Sequence, residues 1–255
     1  MIGICPVHEE KNGILRNLYS GQYNYIPYGG WIFKKEYEFY KFPLRFNQLF
    51  AGFNFPVNNN LKLKGKNRKF QTLVIDLSLD YENYYLNYNR NTKRNIVKAI
   101  NSNISLVINN DIDFFFPFYR ISCENKGLKE MGKTLLIDLM NSLKNIKIDI
   151  LWAIRNNVSL AFLALVYDKD YCLTWLTYNL PGFESFGQGH FLHTEAIKHS
   201  ILKGCKYFDL CYIEKERLPN ICEFKRGFSK NEVEVPLIIQ KPLSYKVINR
   251  IKRCF

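Results

Sequence analysis

The arrangement of three apolar runs in the second half of the chain constrains the fold more than any other feature. The runs 150–154 and 159–167 are joined by the polar residues 155–157, and the turn 168–170 leads into a third run, 171–178. Turns this short connect antiparallel strands, because a parallel connection needs a dozen or more residues. The pattern therefore predicts an antiparallel meander of three strands.

A loop, a helix and a further strand follow the meander. Leu180-Pro181-Gly182 ends the third strand, since proline cannot donate to a sheet and glycine permits a turn. A helix is predicted over 190–202, with Gly204 just past its end, and a short buried strand over 207–211. A strand, a helix and a second strand in this order predict a parallel crossover.

Further elements are predicted on both sides of this core. They are a strand over 72–77, a cation-rich helix over 84–101, a strand over 104–108, a helix over 133–143, a short helix over 218–228 and a last strand over 232–240. The predicted fold class is α/β with a mixed sheet. We assign 71–240 to this unit, 1–70 to an N-terminal cap with an exposed basic loop over 58–69, and 241–255 to a basic tail.

Composition narrows the classes of partner. The 36 Lys and Arg residues exceed the 23 Asp and Glu residues, and the resulting net charge of +13 favours polyanionic partners. A hydrophobic fraction of 47% supports a large core and excludes a disordered chain. The seven cysteines lack the spacing of a zinc ribbon, and no apolar run approaches the ~20 residues of a spanning helix. With no signal peptide in the first residues, we expect a soluble, cytoplasmic protein.

A glycine-containing loop is the most informative candidate for a binding site. Gly187 and Gly189 precede the predicted helix, where backbone N–H groups and the helix dipole attract an anion such as a pyrophosphate. Leu192 stands where a dinucleotide-binding fingerprint has its third glycine, and a P-loop would need a Lys-Ser or Lys-Thr pair. The alternative is that the two glycines only allow a tight loop.

Three ordered motifs resemble the FemAB-like branch of the GNAT acyltransferase superfamily. They are Asn91-Thr92-Lys93-Arg94-Asn95-Ile96-Val97-Lys98-Ala99, Gly204-Cys205-Lys206-Tyr207-Phe208-Asp209-Leu210 and Glu223-Phe224-Lys225-Arg226-Gly227-Phe228-Ser229. The loop Glu184-Ser185-Phe186-Gly187-Gln188-Gly189 keeps the spacing of the family's pyrophosphate loop, but Glu184 stands where the family has Gln or Arg, and Ser229 replaces a glycine. The resemblance covers about residues 73–239. It implies a GNAT-type fold. It also implies a reaction that takes acyl-CoA as the co-substrate and needs no metal.

The resemblance also implies catalytic and cofactor-binding residues. Lys225 matches a family lysine at the transfer site, where a fixed cation stabilises developing negative charge. Asp209 or His190 is the candidate base, and Tyr212 the candidate acid for the departing thiolate. The alternatives to these catalytic roles are structural: Lys225 as a solvated surface lysine, and Asp209 as a carboxylate that caps a helix or bonds to a loop. The predicted cofactor-binding residues are Tyr178, Asn179, Gly187, Gln188, Gly189, His190 and Phe191.

Candidate acceptor-binding residues lie on the basic helix and in the first third of the chain. Arg94 and Lys98 share a helix face and suit a phosphate, although a solvated helix face is the alternative. The aromatic and glycine-rich segment 25–33 suits the binding of a sugar or base ring. The alternative is that it forms a bulged strand with aromatic side chains in the core. The predicted substrate-binding residues are Tyr28, Gly29, Gly30, Trp31, Arg94, Lys98 and Lys225. No metal site is predicted, because His190, His193 and His199 do not share one helix face.

The predicted function is transfer of an acyl group from acyl-CoA to the amine of a nucleotide-linked amino-deoxysugar. A dTDP-linked 3-amino-3,6-dideoxyhexose of bacterial surface-polysaccharide synthesis, for O-antigen or capsule, is an example of such an acceptor. One alternative is a FemAB-type peptidoglycan transferase that uses aminoacyl-tRNA as its donor. For an enzyme of either kind, no nucleic acid other than tRNA is expected as a partner. The other alternative is a non-enzymatic basic protein that binds RNA or a membrane through the tail 241–255.

Overall fold

The computed structural model describes residues 3–4, 8–12, 15–20, 32–33, 48–53, 66–127, 130–142, 146–216, 218–240 and 242–252. The strands are β1 (Gly3–Ile4), β2 (His8–Asn12), β3 (Leu15–Ser20), β4 (Ile32–Phe33), β5 (Gln48–Phe53), β6 (Lys66–Asp76), β7 (Ser105–Ile108), β8 (Lys147–Arg155), β9 (Val158–Tyr167), β10 (Tyr171–Asn179), β11 (Tyr207–Ile213) and β12 (Glu232–Gln240). The helices are α1 (Tyr81–Asn87), α2 (Arg90–Asn101), α3 (Ile112–Asn125), α4 (Lys133–Ser142), α5 (Gln188–Leu202), α6 (Pro219–Arg226) and α7 (Leu243–Lys252).

The chain divides into two compact units, Met1–Thr72 with Val233–Phe255, and Leu73–Glu232. In the first unit the strand order is β2-β3-β5-β12, with β3 parallel to β5 and the other pairs antiparallel. A small core joins Leu15, Leu49 and Tyr245, so helix α7 packs on this unit. The division inferred from the sequence, into a cap over 1–70, a transferase unit over 71–240 and a basic tail over 241–255, stays a prediction.

The second unit is built on the strand order β6-β11-β10-β9-β8-β7. The pairs β7–β8, β8–β9 and β9–β10 are antiparallel, and β10 pairs in parallel with β11 through the crossover helix α5. The predicted meander, the crossover and the mixed α/β class are therefore confirmed. Gly204 has a φ of 79° after the end of α5, the left-handed conformation that glycine adopts most easily there.

The core of the second unit lies between the sheet and its helices. Leu192, Ala196 and Ile197 put one face of α5 into the core, at helical spacing. On β8 the fully buried Trp152 packs against Phe162 and the α3 residue Phe115, with its Nε1 donating 3.1 Å to the carbonyl of Asn109.

Two local predictions differ from the structure, and one helix was not predicted. The single helix predicted over 84–101 is two helices, because Asn89 leaves the helical conformation and accepts the N–H of Thr92 at 2.7 Å as the N-cap of α2. Strand β6 begins at Lys66, so residues 66–69 are not a loop; strand pairing depends on neighbouring strands that composition does not reveal. Helix α3 was not predicted, since its run of phenylalanines and Pro117 is not typical of a helix.

Candidate active site

Strands β10 and β11 separate partway along their length, and the opening between them is the first candidate site. Their pairing joins Tyr171–Leu173 to Tyr207–Asp209, whereas β10 stays paired with β9 as far as Asn179. The register shifts between Thr174 and Leu176, which marks a bulge at the start of the opening. Backbone groups of β10 beyond this point face the opening on the β11 side, where an extended substrate can pair with them.

Asp209 lies at the apex of this opening and is fully buried. Its Oδ2 accepts from the Tyr171 hydroxyl at 2.6 Å, and its Oδ1 accepts from the backbone N–H of Cys211 at 2.7 Å. The second bond holds Cys211 at a φ of 61°, a left-handed conformation that is rare for a residue other than glycine. Both carboxylate oxygens are thus engaged in shaping the strand, and the predicted role of Asp209 as a base stays a prediction.

Lys225 reaches the same opening from helix α6. Its Nζ donates to the carbonyl of Tyr212 at 2.7 Å and to that of Cys211 at 3.2 Å. Burial lowers the pKa of Lys225, while the neighbouring Cys211 and Asp209 oppose that shift. The alternative of a surface lysine is wrong, because two backbone carbonyls accept from this desolvated ammonium. The predicted catalytic role of Lys225 stays a prediction.

Tyr212, the predicted acid, follows Cys211 on β11. Burial, followed by the proximity of Cys211 and Asp209, raises its pKa, so the phenol stays protonated at neutral pH. The opening therefore combines the ammonium of Lys225 and the buried carboxylate of Asp209, next to the backbone of Cys211 and Tyr212. Electrostatic stabilisation of an oxyanion needs a fixed donor in such a dry environment.

The loop before α5 packs under helix α2. Gly187 has a φ of 81°, and a Cβ at this position would lie 2.1 Å from the carbonyl oxygen of Asn95. Lys98 Nζ donates to the carbonyl of Ser185 at 2.5 Å, and the side chain of Gln188 accepts the N–H of Phe186 at 2.8 Å. Gly187 is therefore required by the approach of two backbones, and the predicted pyrophosphate contacts stay a prediction.

The other predicted cofactor residues surround this loop. Tyr178 accepts a hydrogen bond from Asn125 through its hydroxyl at 2.7 Å, and Gly189 lies against the side chain of Asn179. Phe191 is buried in the core. None of these three placements tests cofactor binding.

Helix α2 also packs on the turn after α6. A Cβ at Gly227 would lie 2.1 Å from Thr92 Oγ1, and the carbonyl of Gly227 accepts the N–H of Asn89 at 3.0 Å. The segments of the family resemblance on α2, before α5 and at α6 thus meet in space, although they are far apart in the chain.

A cavity of about 760 Å³ lies where α2, α5 and α6 meet. His190 lines it, with its ring 4.7 Å from Phe224 and 5.9 Å from Phe228, and burial lowers the pKa of this histidine to about 4. A neutral imidazole at pH 7 can accept a proton. The lining residues are Asn89, Asn91, Thr92, His190, Asn220, Glu223, Phe224, Arg226, Lys230 and Glu232.

The other two histidines of α5 have structural partners. His193 is buried, its Nδ1 donates to the carbonyl of Gly189 at 2.8 Å, and burial lowers its pKa to about 4. His199 bonds to Asp149 at 2.8 Å on the far part of α5. Within the described residues, no group of His, Cys, Asp and Glu side chains is arranged to hold a metal ion.

The structure brings some predicted site residues together and leaves others apart. Lys225, Asp209 and Tyr212 meet at the strand opening, whereas His190 faces the cavity. Arg94 and Lys98 lie on the exposed face of α2, and Tyr28, Gly29, Gly30 and Trp31 lie outside the described residues.

Sequence reasoning missed Asn89, Asn220 and Lys230, which line the cavity. For Asn89 a signal existed: an Asn directly before a cationic helix is typical of an N-cap.

No protein-family model and no curated protein sequence matches this chain. Solved structures do match at the level of the fold. The C-terminal DUF2156 domain of a protein from Agrobacterium fabrum described as a lysylphosphatidylglycerol synthetase has a TM-score of 0.61 at 11% identity, over 96% of this chain and 83% of that one. L-PGS from Bacillus licheniformis has a TM-score of 0.52 at 11% identity, over 97% and 83%.

FemX has a TM-score of 0.55 at 8% identity, over 71% of this chain and 63% of its own, so the match spans less than two thirds of FemX. These similarities show that the chain shares the fold of these three proteins. None of the three is described as acting on a nucleotide-linked sugar. Among the described helices, none combines the length and apolarity that crossing a bilayer requires.

Proposed function

We propose that the protein is an aminoacyltransferase that moves an aminoacyl group from a charged tRNA to an amine or hydroxyl acceptor. The observation that carries this proposal is the buried ammonium of Lys225 at the opening between β10 and β11. This proposal reverses the ranking of functions made from the sequence, in which transfer from acyl-CoA to a nucleotide-linked sugar came first.

The proposed role of Lys225 in the transfer step follows from the N–H donors that its hydrogen bonds leave unused. An ammonium has three N–H donors, and the carbonyls of Cys211 and Tyr212 take two of them. The third is available to an oxyanion in the opening. When the acceptor attacks the ester carbonyl, negative charge develops on its oxygen, and a preorganised cation lowers the barrier for this step.

The remaining proton transfers close the reaction. The acceptor loses a proton as its bond to the carbonyl carbon forms, and the tRNA ribose oxygen gains one as the ester bond breaks. The first proton leaves to water, because His190 faces the cavity instead of the opening and both oxygens of Asp209 are already hydrogen-bonded. Tyr212, kept protonated by burial, suits the second.

The loop before α5 supports tRNA over CoA as the donor. A pyrophosphate cradle needs open N–H groups at a helix N-terminus. Here α2 covers the Gly187 side, the N–H of Phe186 is taken by the side chain of Gln188, and the exposed Glu184 adds a negative charge. These residues do not fit a bound pyrophosphate well.

One observation favours the CoA-dependent alternative. The edge of β10 beyond Thr174 has the extended geometry that a pantetheine arm requires, as in the predicted transfer to a nucleotide-linked amino sugar. This alternative therefore stays as the second candidate.

The deciding experiment offers both donors to the same protein. A tRNA pool charged with labelled amino acids, or a set of acyl-CoAs, is incubated with phosphatidylglycerol vesicles, a UDP-linked muropeptide or dTDP- and UDP-amino sugars, and products are read by mass spectrometry. The proposal expects transfer only from charged tRNA, and Lys225→Met should remove it while Lys169→Met, at an exposed turn, should not. Transfer from acyl-CoA alone would replace the proposal by its alternative.

A further inference from the structure

Helix α2 presents cations that no described carboxylate neutralises. Lys93 donates to the carbonyl of Leu86, Arg94 to the side chain of Asn91 and Lys98 to the carbonyl of Ser185, all neutral groups. Elsewhere in the second unit cations form ion pairs. Examples are Arg120 with Glu130, Lys133 with Asp113, Lys206 with Asp170 and Lys215 with Glu232. Among the described residues, the positive charge of helix α2 is therefore not neutralised by an ion pair.

The cation at the start of the helix, Arg90, opposes the stability of the helix. Helix α2 begins at Arg90, and its first turn contains no acidic residue, whereas α1 and α3 carry Glu82 and Asp113 in theirs. A helix N-terminus is already positive, so cations there are unfavourable. Departures from a local stability rule of this kind are expected at functional sites.

The cations form a row along the whole helix. Arg90, Arg94 and Lys98 are exposed and follow one another at steps of about 6 Å, given a rise of 1.5 Å per residue. Arg155 continues the row, because its Nε donates 2.9 Å to the carbonyl of Ser102, the C-cap of α2. We call these four residues the basic face.

An aromatic ring lies beside the end of this row. The guanidinium of Arg155 lies 4.4 Å from the centre of the Phe186 ring, in the loop that Lys98 ties to α2. A guanidinium held over a ring keeps its N–H donors directed outwards. Phe183 in the same loop is 43% exposed.

We propose that the basic face binds the phosphodiester backbone of the tRNA that supplies the aminoacyl group. The inference rests on the proposed function and identifies where its donor is held. A linear row of unneutralised cations matches a linear polymer of phosphates, and such contacts need no base-specific side chain.

The distribution of apolar side chains favours RNA over an anionic lipid surface. At 100° per residue, Arg90 and Arg94 occupy the centre of the face opposite the buried Thr92, Ile96 and Ala99. Lys98 and the exposed Val97 flank this centre on opposite sides, and Ile100 lies further out. A helix that inserts into a lipid surface places its apolar residues in the centre and its cations on the flanks.

The test measures binding of uncharged tRNA by fluorescence anisotropy at a series of KCl concentrations. The variant is Arg90→Gln/Arg94→Gln, and Lys169→Gln is the matched control at the turn that precedes β10. Affinity scales with salt to the power of about −0.9 per phosphate contact, so losing two contacts should weaken binding about 60-fold at 0.1 M. The slope of log affinity against log salt should fall by about 2, and the control should leave both unchanged.

An unchanged slope in the double variant would overturn the inference. So would binding to phosphatidylglycerol vesicles that the double variant abolishes while tRNA binding stays intact, since this would assign the face to lipid. The outcome is separable from that of the proposed function. Binding of uncharged tRNA without any aminoacyl transfer would refute only the function, and transfer at normal rates by the double variant at low tRNA concentration would refute only the inference.

Discussion

Lys225 and the basic face of α2 use the same kind of charge in opposite environments. The ammonium of Lys225 is buried, fixed by two backbone carbonyls and close to Asp209. In the basic face, Arg90, Arg94 and Lys98 are exposed and Arg155 is half-buried, and their hydrogen bonds among the described residues go to neutral groups. A buried charge interacts strongly with one atom in its vicinity, whereas exposed charges act together on an extended partner and are screened by salt. The difference separates a residue suited to chemistry from residues suited to docking.

The largest effect is expected where the charge is buried. Lys225→Met keeps most of the side-chain volume but leaves the carbonyls of Cys211 and Tyr212 without their donor, which should cost about 2–3 kcal/mol of unfolding free energy. Turnover should fall about a hundred- to a thousandfold in the variant that remains folded. Urea denaturation and transfer assays measure the two effects. A stability loss below about 0.5 kcal/mol would mean that the ammonium is not fixed there.

The contact that joins α2 to the loop before α5 can be isolated with two glycines. Gly187 and Gly204 have nearly the same φ, 81° and 79°, but of the two only Gly187 has another backbone, that of Asn95, within 4 Å of the place a Cβ would take. Gly204→Ala should cost about 1 kcal/mol for the left-handed conformation alone, and Gly187→Ala about 3 kcal/mol or more. Thermal or urea unfolding of both variants gives the comparison. Equal losses would mean that α2 does not pack on the loop.

Acid should weaken the packing of α5 through its buried histidine. The pKa of His193 is about 4 in the folded chain and about 6.5 when unfolded, so the unfolded state takes up the proton first. The stability it contributes is complete above pH 6.5 and is lost as the pH falls towards 4, by on the order of 3 kcal/mol. His193→Gln, which keeps a donor for Gly189 but does not titrate, should flatten this part of the pH profile. Parallel profiles of variant and parent would contradict the assignment.

The smallest effect is expected at the start of α2, with a reversed sign. Arg90→Gln removes a cation from a helix N-terminus and should raise the unfolding free energy by about 0.3–0.5 kcal/mol, while tRNA affinity falls. The matched measurement is a urea curve for the single variant beside its anisotropy titration. A loss of stability would show that Arg90 contributes to folding and would weaken the contrast with Lys225.

The sequence predicted the elements whose signal is local. The alternating runs of β8, β9 and β10, the position of Gly204 after α5, and the extent of β12 follow from side-chain periodicity and turn residues. Helix α3 escaped prediction because it is held by the packing of Phe115 on Trp152 and Phe162, a contact between distant parts of the chain. The left-handed Cys211 had no signal either, since its conformation depends on Asp209 and Lys225 together.

For the candidate site, the sequence by itself determined which residues carry charge and which motifs follow one another. It set the order of Asp209, Tyr212 and Lys225 along the chain but no distance between them. Only the tertiary structure decided that Lys225 points inwards to two carbonyls, that Gly187 lies under α2, and that the cations of α2 have no carboxylate partner among the described residues. The physical reason is that burial and pairing are properties of neighbours in space, and folding sets those neighbours through contacts that local sequence does not encode.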